Sequence, residues 1–546
     1  MSVLSRLLGL FYELPKPLTR SVAVTHDIEV PMPDGVVLLA DRYRPRGGER
    51  LPHLLVRSPY GRAGMLGVLY GRLFAERGYD VLIQSCRGTF GSGGVFDAFR
   101  NERTDGLSTV AWLKEQPWFT GKFVTMGPSY LGITQWAIAA EAGPELAAMS
   151  VHMSTSVLEG PIYPGGAFWL DTALSWIYLV HHQSSSFIRA MLTLMRSTAA
   201  IRPAFDALPM GAADETAIGT AAPYYRDWLA HEPGDPWWRD VDFRAGARDG
   251  SAPVHILAGQ HDIFLPESIL DYQLARAAGR DVKLTFGPWK HADPAWTGIA
   301  LREALAWFST HLSGESHDEA PVRAFLGGVD RWVELSDFPP PEVQPRAFYL
   351  QSERTLAATP PRSSEPDRYR YDPADPTPSV GGACLSANSG SKDNRTLESR
   401  ADVLVYTSAP FEEELTVIGP VRATLWIASS NPHTDFFVRV CDVRPNGRSH
   451  NLSDGLRRFS PARPPAPDGR IDIDLWPIAH VFRRGHRVRV LIASGAHPRY
   501  ARNLGSGEPI ATGTTLVAAD QTIFHDAARP SAVYLPVATE FEAGGD

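Results

Sequence analysis

The spacing of apolar and polar residues predicts alternating helices and strands in the first part of the chain. Predicted helices cover 66–77, 104–115 and 129–142, and short apolar strands cover 79–84 and 122–126. Strands that alternate with helices of this length are typical of βαβ units. The pattern therefore predicts a mostly parallel sheet with helices packed against it.

The pattern changes twice further along the chain. Residues 155–240 lack short apolar strands and include a predicted helix over 186–198, and the strand pattern resumes at 254–258. After about residue 315, short apolar strands recur between turns without helices, and 358–382 has the composition of a long loop. Such a series of strands is typical of a sandwich or jelly roll. We therefore expect a helical insertion within the α/β core and a β-rich domain after it.

Composition excludes several classes of protein. The 546 residues carry 53 Lys and Arg against 61 Asp and Glu, a net charge of −8, which gives no electrostatic basis for binding nucleic acid. No uncharged apolar segment reaches the ~18 residues of a membrane span. The apolar run at the start is interrupted by Arg6 and Glu13, so we do not expect secretion. The three cysteines are few and far apart, which favours a reducing compartment, the cytoplasm, without disulfides.

A serine between a predicted strand and a predicted helix is the strongest chemical signal. In the segment Met-Gly-Pro-Ser-Tyr-Leu-Gly at 126–132, a tight turn would hold the Ser129 hydroxyl clear of the backbone as a nucleophile. This turn needs a small residue two positions earlier, which is Gly127. The strict Gly-x-Ser-x-Gly pattern is not met, because Leu131 occupies the last position. The alternative is a small-residue turn that only packs a helix on the sheet.

A base and an acid for this serine occur in the expected order. A serine nucleophile needs a histidine to take its proton and a carboxylate to orient that histidine. Asp262 and His291 each follow a predicted strand, as Ser129 does. Loops at the carboxyl ends of parallel strands share one edge of a sheet, where ligand sites lie. His261 is a second candidate base, but beside Asp262 on an extended loop it should point elsewhere.

These segments together resemble the cocaine esterase / X-Pro dipeptidyl-peptidase family of serine α/β-hydrolases. The segment around Ser129 is similar to the Gly-x-Ser-Tyr-x-Gly motif of that family, and the resemblance extends from about residue 25 to the end of the chain. Further similar segments are 57–61, 86–94, 116–118, 259–264, 287–291, 419–421 and 483–487.

The resemblance implies an α/β-hydrolase core with an inserted helical cap and a C-terminal β jelly-roll domain. It implies a catalytic triad of Ser129, Asp262 and His291, with an oxyanion hole formed by the Tyr60 hydroxyl and the backbone N–H of Tyr130. The alternative for Tyr60 is a core or turn tyrosine. The expected domain ranges are 1–150 and 243–315 for the two parts of the core, 151–242 for the cap and 316–546 for the jelly roll.

The expected substrate is a small acyl compound, a carboxylic ester cleaved through an acyl-enzyme. Trp176, Phe264 and Trp169 are expected to line the acyl pocket, although aromatic residues in helices often belong to a core. In amino-ester hydrolases of the family, the residue at position 131 is acidic and binds the substrate ammonium, whereas this chain has Leu131. An acyl-peptide, amino-ester or β-lactam side-chain acylase or peptidase is the alternative within the family.

Other candidate chemistry is weaker. The glycine-rich loop at 88–94 lacks the Lys-Ser/Thr of a phosphate-binding loop, and the adjacent His181 and His182 lack the spacing of a metal-binding helix. We therefore expect no metal and no cofactor. Cys86 is expected to be buried and inert. A catalytically inactive binding protein is the hypothesis from another class, and the β-rich tail could offer a surface for a homo-oligomer.

Overall fold

A ten-stranded sheet organises the first part of the chain. The computed structural model describes residues 2–47, 50–183, 199–314 and 319–538. The strands of the first sheet are β1 (Val22–Pro31), β2 (Val37–Pro45), β3 (His53–Ser58), β4 (Asp80–Ser85), β5 (Phe123–Pro128), β6 (Leu146–His152), β7 (Val254–His261), β8 (Val282–Lys290), β9 (Val322–Leu326) and β10 (Arg331–Leu335). Their order is β1-β2-β4-β3-β5-β6-β7-β8-β9-β10. All pairs from β4 to β9 are parallel.

Helices cover the parallel strands and connect them. Those of the core are α1 (Ser2–Phe11), α2 (64–75, with a π-helical turn at Gly67–Arg72), α3 (Glu102–Lys114), α4 (Tyr130–Ala139), α10 (Leu265–Ala277) and α11 (Ala295–Ser313), where the numbers skip the helices of the insertion. Every residue of α4 is buried, because this helix lies between the sheet and the rest of the core. The parallel strands are likewise buried on both faces, as the apolar runs in the sequence predict.

The chain between β6 and β7 forms the helical insertion. Its α-helices are α5 (Glu159–Ile162), α6 (Leu170–His182), α7 (Ala213–Ile218), α8 (Pro223–Ala230) and α9 (Arg244–Arg248), with helical residues also at 199–205. Short 3-10 turns lie at Pro164–Gly166, Met210–Ala212 and Pro236–Val241. The insertion joins the core through one apolar cluster that includes Trp136, Trp228 and Phe264. The predicted helix at 186–198 lies entirely outside the described part of the chain.

A second sheet forms the β-rich C-terminal region. Its strands are β11 (Val343–Leu350), β12 (Thr355–Ala357), β13 (Asp367–Tyr371), β14 (Leu404–Ser408), β15 (Leu415–Ser429), β16 (Thr434–Val443), β17 (Ser449–Phe459), β18 (Arg470–Phe482), β19 (Arg487–Ala493), β20 (Ala519–Asp526), β21 (Arg529–Pro530) and β22 (Ala532–Ala538). A short helix, α12 (Arg395–Glu398), and a 3-10 turn, Ser352–Arg354, lie between strands. The long strand β15 pairs with β18, β20 and β22, and apolar side chains of these strands fill a separate core.

Three local expectations differ from the observed elements. Strand β6 is absent from the prediction, although it pairs with both β5 and β7. The expected loop at 358–382 contains β13, which pairs with β20 across about 150 residues of sequence. The β-rich region was expected from residue 316, but β9 and β10 extend the first sheet, because β9 pairs in parallel with β8. The second sheet begins only at β11.

Candidate active site

Ser129 occupies a strained turn between β5 and α4. Its backbone has φ 56° and ψ −126°, a conformation that a residue other than glycine adopts only when its surroundings impose it. Its N–H donates to the carbonyl of His152 at 2.9 Å, and its carbonyl accepts from the Ser154 hydroxyl at 2.8 Å. Gly127 has φ +144°, and a Cβ there would lie 2.5 Å from the Cβ of Leu131. The turn therefore requires the glycine on two counts.

Asp262 and His291 lie beside this serine. The imidazole Nε2 of His291 is 3.0 Å from the Ser129 hydroxyl, and its Nδ1 is 2.5 Å from Asp262 Oδ1. Asp262 is fully buried after β7, and its second oxygen accepts from the backbone N–H of Phe264 at 3.2 Å. The Trp296 indole donates to the carbonyl of His291 at 3.2 Å, which holds the loop after β8. The loops after β5, β7 and β8 thus bring a hydroxyl, an imidazole and a carboxylate into one hydrogen-bonded line.

Tyr60 and Tyr130 lie on the other side of the serine. The Tyr60 hydroxyl adjoins the Ser129 side chain and accepts from the Trp176 indole N–H at 2.9 Å. Burial raises the pKa of Tyr60 to about 12, so the phenol stays protonated at neutral pH and can donate. Tyr130 is the first residue of α4, and its backbone N–H has no acceptor within the helix. Both predicted donors therefore adjoin Ser129.

The side chain of Tyr130 fixes the start of α4. Its hydroxyl donates to the Glu102 carboxylate at 2.8 Å and accepts from the Phe99 N–H at 2.9 Å. Glu102 also forms a fully buried ion pair with Arg57 at 2.9 Å. Cys86 is buried against the same carboxylate, at 3.6 Å, and burial raises its pKa well above the usual range, which suppresses the reactive thiolate.

An aromatic-walled cavity opens at Ser129 and His291. The predicted residues Trp169, Trp176 and Phe264 all line it, and Phe264 packs edge-on against the His291 ring. The cavity has a volume of about 30 Å³. Residues that the sequence analysis missed also line the cavity: Phe99, Ile133, Thr172, Ala173, Trp228, Ile263 and Leu385. Leu385 comes from the C-terminal region, and no local pattern distinguishes it.

A second cavity of about 260 Å³ adjoins the first, since Trp169, Thr172 and Ile263 line both. It contains Glu267, whose pKa is raised to about 8 by burial, so this carboxyl is largely uncharged at neutral pH. Leu131 lines neither cavity and is packed in the core instead. Neither Glu267 nor Leu131 therefore presents a fixed negative charge beside Ser129.

His261 faces away from the serine. It lines a separate polar cavity together with Gln260, Lys290 and His480, on the side toward the C-terminal region. Burial lowers its pKa to about 4. Within the described residues, no group of three or more His, Cys, Asp or Glu side chains has an arrangement that could hold a metal ion. No helix in the described ranges combines the length and the apolar character needed to cross a membrane.

Comparison with known proteins shows which family has a similar sequence. Residues 34–293 match the profile of the X-Pro dipeptidyl-peptidase (S15 family), and residues 315–534 match that of the X-Pro dipeptidyl-peptidase C-terminal non-catalytic domain. A cocaine esterase from Rhodococcus sp. (strain MB1 Bresler) is 32% identical over 574 aligned residues, which cover 94% of this chain and 98% of that protein.

Solved structures agree in fold. An aminopeptidase from the marine sediment archaeon Thaumarchaeota archaeon superposes with a TM-score of 0.80 at 23% identity, covering 96% of this chain and 99% of that one. A CocE/NonD family hydrolase from Staphylococcus aureus gives a TM-score of 0.70 at 17% identity, covering 94% of each chain. At these identities the likeness concerns the fold alone.

The protein is therefore an α/β-hydrolase with a β-rich, jelly-roll-like C-terminal domain, and the predicted fold class is confirmed. The chain belongs to the cocaine esterase / X-Pro dipeptidyl-peptidase family and is a hydrolytic enzyme.

Proposed function

We propose that this protein is a serine carboxylic-ester hydrolase whose triad is Ser129, His291 and Asp262. The observation that carries the proposal is the continuous hydrogen-bonded line from the Ser129 hydroxyl through both ring nitrogens of His291 to the buried Asp262. Such a line lets an imidazole take a hydroxyl proton while a carboxylate stabilises the resulting imidazolium. The cocaine esterase relative, at 32% identity, supports an ester as the substrate class.

Acylation begins when Ser129 Oγ attacks the ester carbonyl carbon and its proton moves to His291 Nε2. The carbonyl π electrons move to oxygen, and the Tyr60 hydroxyl and the Tyr130 N–H donate hydrogen bonds to that oxyanion. Donors that are fixed in a site without water stabilise the tetrahedral state without reorganising. Each donor lowers the activation free energy by about 3 kcal/mol. When the carbonyl re-forms, the C–O bond to the alcohol breaks and His291 protonates the leaving oxygen.

Deacylation repeats the sequence with water. His291 removes a proton from water, the hydroxide attacks the acyl carbon, and collapse of the second tetrahedral state releases the carboxylic acid. The proton then returns from His291 to Ser129. Trp169, Trp176 and Phe264 surround the acyl group, since they wall the cavity in which Ser129 lies.

Covalent labelling tests the nucleophile. A fluorophosphonate should add one adduct per chain, and peptide mass spectrometry should locate it at Ser129. Ser129→Ala should abolish labelling and lower the turnover of a nitrophenyl acetate by at least about 10⁴-fold, since loss of a triad nucleophile costs this much or more. Ser108→Ala is a matched control, because that partly exposed serine lies on α3 and its hydroxyl donates to the Thr104 carbonyl.

Turnover that survives Ser129→Ala would refute the triad assignment, and a chain that no fluorophosphonate labels would favour a binding protein. Parallel assays with an acetyl ester, an acetyl anilide and an amino-acid ester separate the esterase from the acylase or peptidase. The esterase proposal requires the simple ester to have the highest kcat/KM.

A further inference from the structure

The indole of Trp176 determines which way the Tyr60 hydroxyl points. An indole N–H can only donate, so at 2.9 Å the Tyr60 oxygen must accept from it. A phenol has one proton, and that proton cannot lie along the line to the indole. It is therefore available to an acceptor other than the indole, on the hydroxyl that adjoins the Ser129 side chain.

The opposite end of the hydrogen-bonded line has a fixed direction as well. The buried Asp262 carboxylate can only accept, so His291 Nδ1 donates to it and Nε2 accepts from the Ser129 hydroxyl. The Ser129 proton is then committed to His291, and the Tyr60 proton is not used by the indole. A donor-only group at one end and an acceptor-only group at the other give these three hydrogen bonds fixed directions.

We propose that Trp176 is a positioning residue that holds the Tyr60 proton on the oxyanion side of the phenol. This inference rests on the proposed function, because it assigns a role only if Tyr60 donates to the oxyanion. When the substrate carbonyl becomes an oxyanion, the Tyr60 proton is free to be donated to it, because the indole already occupies an acceptor position of the phenol oxygen. As negative charge develops, the phenol oxygen becomes a better acceptor and the indole hydrogen bond strengthens. The benefit is therefore larger in the transition state than in the bound ester.

The packing of Trp176 makes this arrangement rigid. The ring lies on α6 and stacks on Tyr130 with centroids 6.1 Å apart and planes at 8°. It also stacks on Phe99 at 5.7 Å and 20°. The indole therefore cannot rotate its N–H away without breaking the aromatic stack. The helical insertion thus supplies the group that orients an oxyanion donor of the core.

The test replaces Trp176 with an isostere that lacks the N–H, 3-benzothienylalanine, in which sulfur takes the place of nitrogen, and with Trp176→Phe as a second variant. For a nitrophenyl acetate, both should lower kcat about tenfold, as expected for the loss of one hydrogen bond, with KM changed by less than about twofold. Tyr60→Phe should cost about 10²-fold or more. In the Tyr60→Phe background, removal of the indole N–H should cause no further loss.

Two results would overturn the inference. One is full kcat in the benzothienyl variant, and the other is a loss that multiplies with that of Tyr60→Phe. A residue that only packs against the acyl group would change KM according to acyl size, so the acetyl and benzoyl esters are compared. Fluorophosphonate labelling at Ser129 is measured for each variant. If Ser129 is essential but the losses in kcat from Tyr60→Phe and from the benzothienyl variant multiply in the double variant, only the inference about Trp176 fails. If Ser129→Ala still turns over the ester, the proposed function itself fails.

Discussion

At the scale of single residues, the turn at Ser129 combines backbone strain with close packing. Ser129 has φ 56°, and the conformation persists because its N–H is held by the His152 carbonyl on β6 and its carbonyl by the Ser154 hydroxyl just after that strand. Gly127 allows the close packing because it has no side chain, and Leu131 fills the space that a side chain would occupy. Strain of this kind, about 1–3 kcal/mol per residue, is common where a side chain must project into a site.

Gly127→Ala should therefore destabilise the protein and disturb the nucleophile. The added Cβ would lie 2.5 Å from the Cβ of Leu131, at a backbone φ of +144°. We expect a loss of about 3 kcal/mol in the free energy of unfolding, from backbone strain and overpacking together. The matched control is Gly121→Ala, where φ is +96° and nothing lies within 4 Å. It should cost only about 1–2 kcal/mol, and equal losses in denaturant titrations would contradict the packing argument.

The sequence pointed to the polar residues of the candidate site more directly than to its walls. Ser129, Asp262 and His291 are recognisable because each follows a predicted strand, and parallel strands end at one edge. Phe99, Trp228 and Leu385 also line the cavity, yet each comes from a different region. Their convergence depends on how the regions pack, which local periodicity does not encode.

At the scale of elements, strand β6 links the turn at Ser129 to a buried network of polar side chains. The Ser150 hydroxyl contacts His152 Nε2 at 2.7 Å and His255 Nδ1 at 3.0 Å. His255 Nε2 reaches the Glu303 carboxylate at 3.0 Å, and Arg323 donates to Glu303 at 2.9 Å. The network crosses β6, β7 and β8 and ends on α11 and β9. It fixes the register of the strands whose loops carry the site.

This network explains why β6 escaped prediction. The strand contains Ser150 and His152 among small apolar residues and lacks the run of β-branched residues that marks a buried strand. Its polar side chains are nevertheless fully buried, and the Ser150 hydroxyl is hydrogen-bonded to His152 Nε2 and to His255 Nδ1 on β7. Strand β13 escaped for a similar reason, since its pairing with β20 is far away in sequence. Helices, whose hydrogen bonds are local, were predicted more closely, as at α3 and α4.

His152 should make stability depend on pH. Burial, with His255 adding to it, lowers its pKa to about 3, and its Nδ1 is buried without a hydrogen-bond partner in the described part of the chain. Above the ordinary pKa of about 6.5, both states are neutral and nothing changes. Below this pKa, His152 takes up a proton in the unfolded chain but remains neutral in the folded chain. At pH 5 this costs the folded state about 2 kcal/mol, and the cost grows until about pH 3.

Thermal unfolding at pH 7 and pH 5 measures this contribution. The Tm of the unsubstituted protein should fall with pH, and His152→Gln should fall less, since it has no proton to take up. His433→Gln, at a partly exposed site in the C-terminal region, is the control and should show the full decrease. A Tm of His152→Gln that drops as steeply as that of the unsubstituted protein would show that His152 contributes nothing to the acid sensitivity.

At the scale of the whole molecule, three regions of the chain meet at the cavity beside Ser129. The core supplies Ser129 and His291, the helical insertion supplies Trp176, and the C-terminal region supplies Leu385. The insertion and the C-terminal region are also in close contact elsewhere: Asp171 accepts from the Ser386 N–H at 3.1 Å. The hydrogen bond lies one residue from Leu385 and therefore holds this segment against α6.

Leu385 should consequently influence which acyl groups the enzyme accepts. Leu385 lines the cavity beside Ser129 and belongs to neither the loops that carry Ser129, Asp262 and His291 nor the aromatic stack. Leu385→Ala removes three carbon atoms from that wall. We expect the ratio of kcat/KM for a benzoyl ester to that for an acetyl ester to rise by about tenfold, the gain available from a few methylenes of added contact. Leu452→Ala, in the separate polar cavity, should leave the ratio unchanged. A constant ratio in Leu385→Ala would mean that the acyl group does not reach the C-terminal region, and the cavity would then be bounded by the core and the insertion alone.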